Sequence, residues 1–305
     1  MNDKIKGSIY GLLIGDALGA PYEFRTAEYM ESLAAVDMLP PQNHQRTYKE
    51  AKVGTWSDEG AMMLCMMNTI NDCHAFKPDF YLRQLVAYKT QGLYAINHTV
   101  FGCSRHFDQV IKTFQEGGKI FHLDANMTSR DSGTLTRVLP LAIFDAKNDA
   151  TSTIRLAHTQ ALLTHAHPIN GICSAIYAQW IKNLVNGIKN PFVKAINSLL
   201  ELYNTDCREL IVRDVLRRNG STGINDIVDC LMDTYDIISK TDSYHDAVIM
   251  AVKKGGQTTA LASSVGAIAG LIYGFQDIPS KWVGLLRGQE TVEQLLARFE
   301  IELGA

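Results

Sequence analysis

Three adjacent oxygen-bearing side chains, Ser57, Asp58 and Glu59, stand just ahead of an apolar run that begins at Ala61. A hydroxyl beside two carboxylates is a donor set for a hard divalent cation such as Mg2+ or Mn2+. The same residues also have a plain structural use, because Ser57 or Asp58 can cap a helix and carboxylates favour its positive end. Asp16 interrupts another apolar run, and Glu23 follows Pro21 soon after it. Both can serve a cleft; equally, Asp16 can be a hydrogen-bonded buried carboxylate and Glu23 an ordinary loop residue. Asp131-Ser132-Gly133-Thr134 is a small polar turn. Backbone N–H groups there can cradle a phosphate, or merely open a capped helix. Thr164-His165-Ala166-His167-Pro168 places two histidines one residue apart. His-x-His can bind zinc, but neither a cysteine nor a third histidine stands at ligand spacing nearby. A turn between helices, with one histidine facing a pocket, is the better reading. Finally, Gly255-Gly256 precedes a helix rich in small residues, and glycine pairs at helix entries let a ligand approach the backbone.

Positioning these groups falls to helices. Ile5, Ile9, Leu12, Leu13 and Ala17 form one stripe of a first helix that ends before Pro21. Ala61 to Ile70 is nearly all apolar, which predicts a central helix. Helical periodicity continues over Asp79 to Lys89, Arg105 to Phe114, Thr134 to Phe144, Thr151 to Leu163, Ile169 to Val185 and Phe192 to Tyr203. It resumes over Arg208 to Arg217, Asp226 to Ile238, His245 to Lys253, Leu261 to Phe275 and Glu290 to Glu302. Strand-like alternation is confined to weak patches near Ile120 to Leu123. The expected fold is all-α, with short loops and no 30–45-residue repeat. Gly266, Gly270 and Gly274 recur at every fourth residue and clear a face for close helix packing. In a membrane the same spacing would favour dimerisation; core packing fits this chain better.

Composition sets the remaining bounds. The 305 residues are 46% hydrophobic and 20% charged, with a net charge of −3. No linker-like tract appears, so one domain over residues 1–305 is expected. Scattered Lys and Arg offer no stripe for nucleic acid and no polybasic membrane patch. The apolar run Ala260 to Phe275 is too short and too interrupted for a membrane span, and the first residues do not resemble a secretory leader. The six cysteines include no CxxC pair, which suits a reducing cytoplasm.

Taken in order, Gly11-x-x-x-Gly15-Asp16-Ala17-Leu18-Gly19-Ala20-Pro21-x-Glu23-Phe24, the 57–59 and 132–134 segments, Thr164-His165-x-His167-Pro168 and Gly266-Ala267-Ile268-Ala269-Gly270-x-x-Tyr273-Gly274 resemble the ADP-ribosylglycohydrolase family. The resemblance runs from about Lys4 to Trp282. It implies a single all-α domain whose central cleft holds two Mg2+ or Mn2+ ions and removes ADP-ribose from a modified acceptor. Glu23 would match the family's glutamate after Ala-Pro; Ser57 and Asp58 the Thr and first Asp of its Trp-Thr-Asp-Asp-Thr; Glu59 stands for the second Asp. Ser132, Gly133 and Thr134 fall where the family lines its ADP-ribose pocket. Asp16, His165, His167, Gly255 and Gly256 would join them in binding substrate. The departure is at the last metal motif, where Gly-Gly-Asp-Thr-Asp-Thr becomes Gly255-Gly256-Gln257-Thr258-Thr259-Ala260. Losing carboxylates weakens divalent binding. The expectation is therefore a single weak ion at Ser57, Asp58 and Glu59, or none, with Glu23, Asp58 and Glu59 carrying acid/base chemistry. The competing expectation is a degenerate binding protein that holds ADP-ribose or a protein partner, for example as an immunity factor against an ADP-ribosylating toxin.

Overall fold

The structure, a computed structural model, describes residues 3–117, 128–217 and 226–304. Among these residues there are helices and no β-strand. In chain order they are α1 (Asp3–Gly19), α2 (Ala27–Ser32), α3 (Asp58–Cys73), α4 (Pro78–Gln91), α5 (Arg105–Gln115), α6 (Leu139–Phe144), α7 (Ala150–Leu162) and α8 (Pro168–Val185). Then follow α9 (Pro191–Leu202), α10 (Thr205–Leu210), α11 (Ile227–Ile238), α12 (Tyr244–Lys253), α13 (Thr258–Tyr273), α14 (Ser280–Leu285) and α15 (Gln289–Glu302). The patches near Ile120 to Leu123 lie outside the described residues.

Two expected helices differ in detail. The segment from Thr134 begins as a 3-10 turn, Thr136–Val138, before α6. Pro140 has no N–H to give to a carbonyl one turn earlier, so it sits in the first turn of a new helix. Past Leu210, α10 continues as a π-helical stretch, Ile211–Leu216. The short helices α2 and α14 carry too few periodic residues to be read from spacing alone.

One hydrophobic core collects side chains from Ile9 to Phe299. Its axis is the antiparallel pair α1 and α13. Every residue of α1 from Gly7 to Gly19 is buried, as is every residue of α13 from Thr258 to Leu271. The two backbones touch. A Cβ on Gly7 would lie 2.5 Å from the Gly270 carbonyl oxygen, and one on Gly11 2.2 Å from that of Gly266. On Gly15 it would meet the Ala262 oxygen at 2.1 Å, and on Gly19 the Thr258 oxygen at 2.5 Å. The contact steps four residues at a time along both helices, a ridge of four glycines on α1 laid against Gly270, Gly266, Ala262 and Thr258 of α13. The face expected of Gly266 and Gly270 is thus filled by α1. No described helix is long and apolar enough to cross a membrane.

Candidate active site

The seam between α1 and α13 ends at a cleft. Beyond Gly19 the chain turns through a 3-10 segment, Ala20–Tyr22, and presents Glu23. On the opposite side Gly255 and Gly256 take φ values of +71° and +67°, and a side chain on Gly255 would strike the Arg25 carbonyl at 2.5 Å. Two backbone hydrogen bonds stitch these segments: Phe24 N–H donates to Gly256 O at 2.7 Å, and Gly256 N–H to Arg25 O at 2.7 Å. Glu23 Oε2 then accepts from the Thr259 N–H at 2.7 Å and the Thr258 hydroxyl at 2.9 Å. The first turn of α13, which has no side-chain cap from Gln257, is capped by Glu23 instead.

Burial pushes the Glu23 carboxyl up to about 7, against hydrogen bonds from Thr258 and Thr259 that pull it down. Its ordinary value is 4.5. Between those values the folded chain holds a proton that the unfolded chain has released, so stability falls as pH rises through that window. Glu23→Gln keeps an oxygen for both donors and carries no charge. We expect it to be more stable than the parent at pH 8, by roughly 2–3 kcal/mol, with no gain near pH 4.5. Thermal melts of both chains at the two pH values check this; an unchanged pH slope contradicts it.

The second wall is the start of α3. Ser57 caps it, its Oγ accepting from the Glu59 N–H at 3.4 Å. Asp16, fully buried on α1, holds this turn from below: its Oδ2 accepts from Ser57 N–H at 2.9 Å and Gly60 N–H at 2.8 Å. Asp58 faces the cleft against Gly102, where a Cβ would stand 2.2 Å from Asp58 Oδ1. Gly102 has φ +91°, so glycine is required there on both counts. Burial lifts the Asp58 carboxyl to about 7, and the Asp131 charge adds to this. Glu59 is pushed well up, first by burial and then by Asp58, and its Oε2 accepts from the Thr136 hydroxyl.

The third wall is the 131–133 turn. Asp131 Oδ1 accepts from Gly133 N–H at 3.2 Å and lies 2.5 Å from His165 Nε2. Its Oδ2 accepts from the hydroxyls of Ser129 at 3.0 Å and Ser104 at 3.1 Å. Burial alone would raise this carboxyl, yet His165 and these hydrogen bonds hold it below the usual range, so Asp131 is ionised. Burial lowers His165, leaving the ring neutral. Its Nδ1 meets the Thr164 hydroxyl at 2.7 Å, which itself accepts from buried Arg137 at 2.8 Å. The hydroxyl proton therefore points to Nδ1, and the ring proton sits on Nε2, aimed at Asp131.

Glu23, Asp58, Glu59, Ser132, Gly133, His165, Gln257, Thr259 and Ala260 all line this cleft, whose volume is about 280 Å3. Ser132 Oγ reaches Gln257 Oε1 at 3.4 Å and joins two walls. Asp16, Ser57, Thr134, His167, Gly255 and Gly256 do not line it. Thr134 is packed in the core, its carbonyl accepting from Gln160 and Ser174. His167 caps α8 through Nδ1, 3.2 Å from the Ile169 N–H. The two histidines thus part company, one to the cleft and one to a helix end. Sequence reasoning passed over Asp131 and the 102–105 loop. Asp131 stood within the turn it singled out, whereas Arg105 and Cys103 carried no local signal.

The donors present do not assemble a bridged pair of divalent ions. Glu23 is engaged at the α13 amide, Glu59 at Thr136, and Gln257, Thr259 and Ala260 bring no charge. Among the described residues no three His, Cys, Asp or Glu side chains form a metal-holding group. What the cleft does offer is three buried carboxyls of raised proton affinity around one space, an arrangement suited to giving and taking protons near neutral pH.

Fold and site define a helical cleft protein with a carboxyl-lined floor set at the ends of two glycine-packed helices. A family model for ADP-ribosylglycohydrolases matches residues 1–304, and the chain belongs to that family. It is 25% identical to the ADP-ribosylarginine hydrolase Tri1 of Serratia proteamaculans, covering 96% of this chain and 78% of that one. Identity to the ADP-ribosyl-[dinitrogen reductase] glycohydrolase of Rhodospirillum rubrum is 22%, over 94% and 91% of the two chains. The ADP-ribosylhydrolase ARH3 of Bos taurus is 23% identical, over 96% and 91%. Among solved structures, an ADP-ribosylglycohydrolase-related protein complex shares the fold, with a TM-score of 0.78 over 98% of each chain and 19% identity.

Proposed function

We propose that this protein is a hydrolase that removes ADP-ribose from a modified protein or a related acceptor, acting in a reducing cytoplasm. The observation that carries this reading is the convergence of Glu23, Asp58 and Glu59 on one cleft, two of them with carboxyls lifted to about 7. Near neutral pH one carboxyl is charged while another holds a proton. The charged one takes a proton from water as the water oxygen bonds to the anomeric carbon of the ribose. The bond to the acceptor breaks with its electron pair staying on the acceptor atom, which collects the proton of the second carboxyl. Positive charge that builds on the ribose ring faces an acidic wall. Since two of the relatives are named as ADP-ribosylarginine hydrolases, modified arginine is the acceptor to try first. A single weakly held Mg2+ or Mn2+ at Ser57, Asp58 and Glu59 belongs to this reading, and none of these steps depends on it.

A second reading is favoured by the neutral groups Gln257, Thr259 and Ala260 in the cleft floor. On it the protein binds ADP-ribose or a partner, such as an ADP-ribosylating toxin, without cleaving. One experiment separates the two. ADP-ribosylated arginine protein is incubated with the chain, with and without EDTA, and ADP-ribose binding is followed by calorimetry. Release of ADP-ribose supports the hydrolase; tight binding with no release under either condition supports the second reading. The double substitution Gln257→Asp, Thr259→Asp adds two carboxylates to the floor. It is expected to raise Mn2+ affinity by about tenfold or more and to make any release EDTA-sensitive. Unchanged Mn2+ binding would show that the floor does not face a cation.

A further inference from the structure

We propose that the protein carries a second ligand site, remote from the cleft, in a cavity between α8, α9, α11 and the far end of α13, and that its ligand is a flat aromatic molecule bearing an anionic group. This site stands independently of how the cleft is used. Thr259 lines the cleft and Ile272 lines this cavity, so the two lie about 20 Å apart along α13.

The cavity holds about 240 Å3, room for a fused ring with a short arm rather than for a length of peptide. Trp180, Phe192 and Tyr235 build its wall. Phe192 stacks on Tyr235 with ring centres 4.1 Å apart. The Trp180 ring stands edge-on to both, 4.8 Å from Phe192 and 6.1 Å from Tyr235. A planar guest is therefore offered ring faces and ring edges together. Polar groups remain for its other end. Trp180 is 2% exposed, yet its indole N–H donates to no described residue, whereas a buried indole N–H usually finds an acceptor. That nitrogen is not among the fully enclosed polar atoms, so it opens on the cavity. The Tyr235 hydroxyl and the Asn190 side-chain amide are likewise unpartnered among the described residues. Asn190, the N-cap residue of α9, gives that helix no side-chain cap, which leaves the positive end of α9 at the same mouth. Charge then sets the sign of the guest. No charged residue lines the cavity. Lys189 and Lys194 flank the lining stretch 190–193, and Lys240 follows Ser239. All three are exposed and in no ion pair among the described residues. Asp236, beside Tyr235, is the one acid next in sequence to a lining residue. An aromatic pocket with an acidic rim takes an organic cation. A rim of lysines repels one and draws an anion.

Two probes that share one ring test this: indole-3-acetate, an anion, and tryptamine, a cation. Each is titrated into the full chain at low ionic strength and read by calorimetry and by the 15N–1H signal of the Trp180 indole. Indole-3-acetate is expected to shift that signal and to bind at least about tenfold more tightly than tryptamine. The double substitution Lys189→Glu, Lys194→Glu, confined to exposed side chains, is expected to reverse the order of the two. Val193→Trp, at a half-exposed position on the cavity wall, fills the space and is expected to weaken both probes by about tenfold or more. Melting curves verify that the variants fold as the parent does. If Val193→Trp melts early, Asn190→Gly takes its place, since glycine keeps the left-handed backbone of that residue while removing the amide, and weaker binding of indole-3-acetate is required of it. A Trp180 signal unmoved by about 10 mM indole-3-acetate overturns the site. Equal affinity for the two probes, or a preference untouched by reversing the lysines, overturns the anionic class of its ligand.

Discussion

Asp58→Ala is expected to lower ADP-ribose release by about 1,000-fold or more in kcat/KM, while the melting temperature at pH 8 stays level or rises. The two halves of this result have one cause. Asp58 sits at the first turn of α3 with its carboxyl buried and lifted to about 7, beside Glu59 and within reach of the Asp131 charge. A group held in that state is costly to ionise, and removing it relieves strain on the fold at alkaline pH. The helix start survives its loss, since Ser57 supplies the cap and Asp16 holds the Ser57 and Gly60 amides from beneath. Losing Asp58 also lets the Glu59 carboxyl ionise more readily, because the Asp58 charge is the second cause of its elevation. The pH profile of any residual activity should therefore shift to lower pH. Single-turnover assays across pH 5 to 9 read all three effects. An active, destabilised variant would mean that Asp58 serves the fold and that proton transfer belongs elsewhere.

The largest expected loss of stability comes from the seam between α1 and α13. Gly266→Val should cost more than about 4 kcal/mol, enough to unfold much of a domain of ordinary stability. A Cβ at this position stands 2.1 Å from the Gly11 carbonyl oxygen, and the obstacle is backbone, which cannot rotate aside. The helices would have to part, and the contacts at Gly15 and Gly19 lie on the same pair. Because Glu23 follows the end of α1 and caps the start of α13, separation also dismantles the cleft floor. Gly284→Ala is the control. Nothing stands within 4 Å of a Cβ there, so a change within about 0.5 kcal/mol is expected. Thermal melts of both variants test the pair; equal melting temperatures would show that close contact at Gly266 is not what holds α1 to α13.

Much of this was legible in the residues themselves. Periodicity marked α3, α4, α5 and α8 because each buries one side or all of a helix, and burial leaves a repeat that spacing reveals. Glycines every fourth residue in α13 announced a close neighbour, though not which helix would fill it. The acidic triplet and the histidine turn marked two walls of the site. Spacing could not divide these residues between cleft and scaffold. Asp16 and Glu23 are both carboxylates near one helix end, yet Asp16 holds backbone amides inside the protein and Glu23 opens onto the cavity. His165 and His167 differ in sequence only by one step, and that step turns one ring to Asp131 and the other to the end of α8.

Helical class, the acidic and glycine-rich segments and membership of the family were therefore set by the chain as written, because they depend on composition and on repeats a few residues long. The assembly of the cleft was decided by tertiary structure. Glu23 meets Thr259 across more than two hundred residues of chain, and Asp131 meets Ser104 and His165 from three separate segments. Charge state followed the same division: a carboxyl's proton affinity reflects the dielectric and the charges around it, and only folding brings those neighbours together.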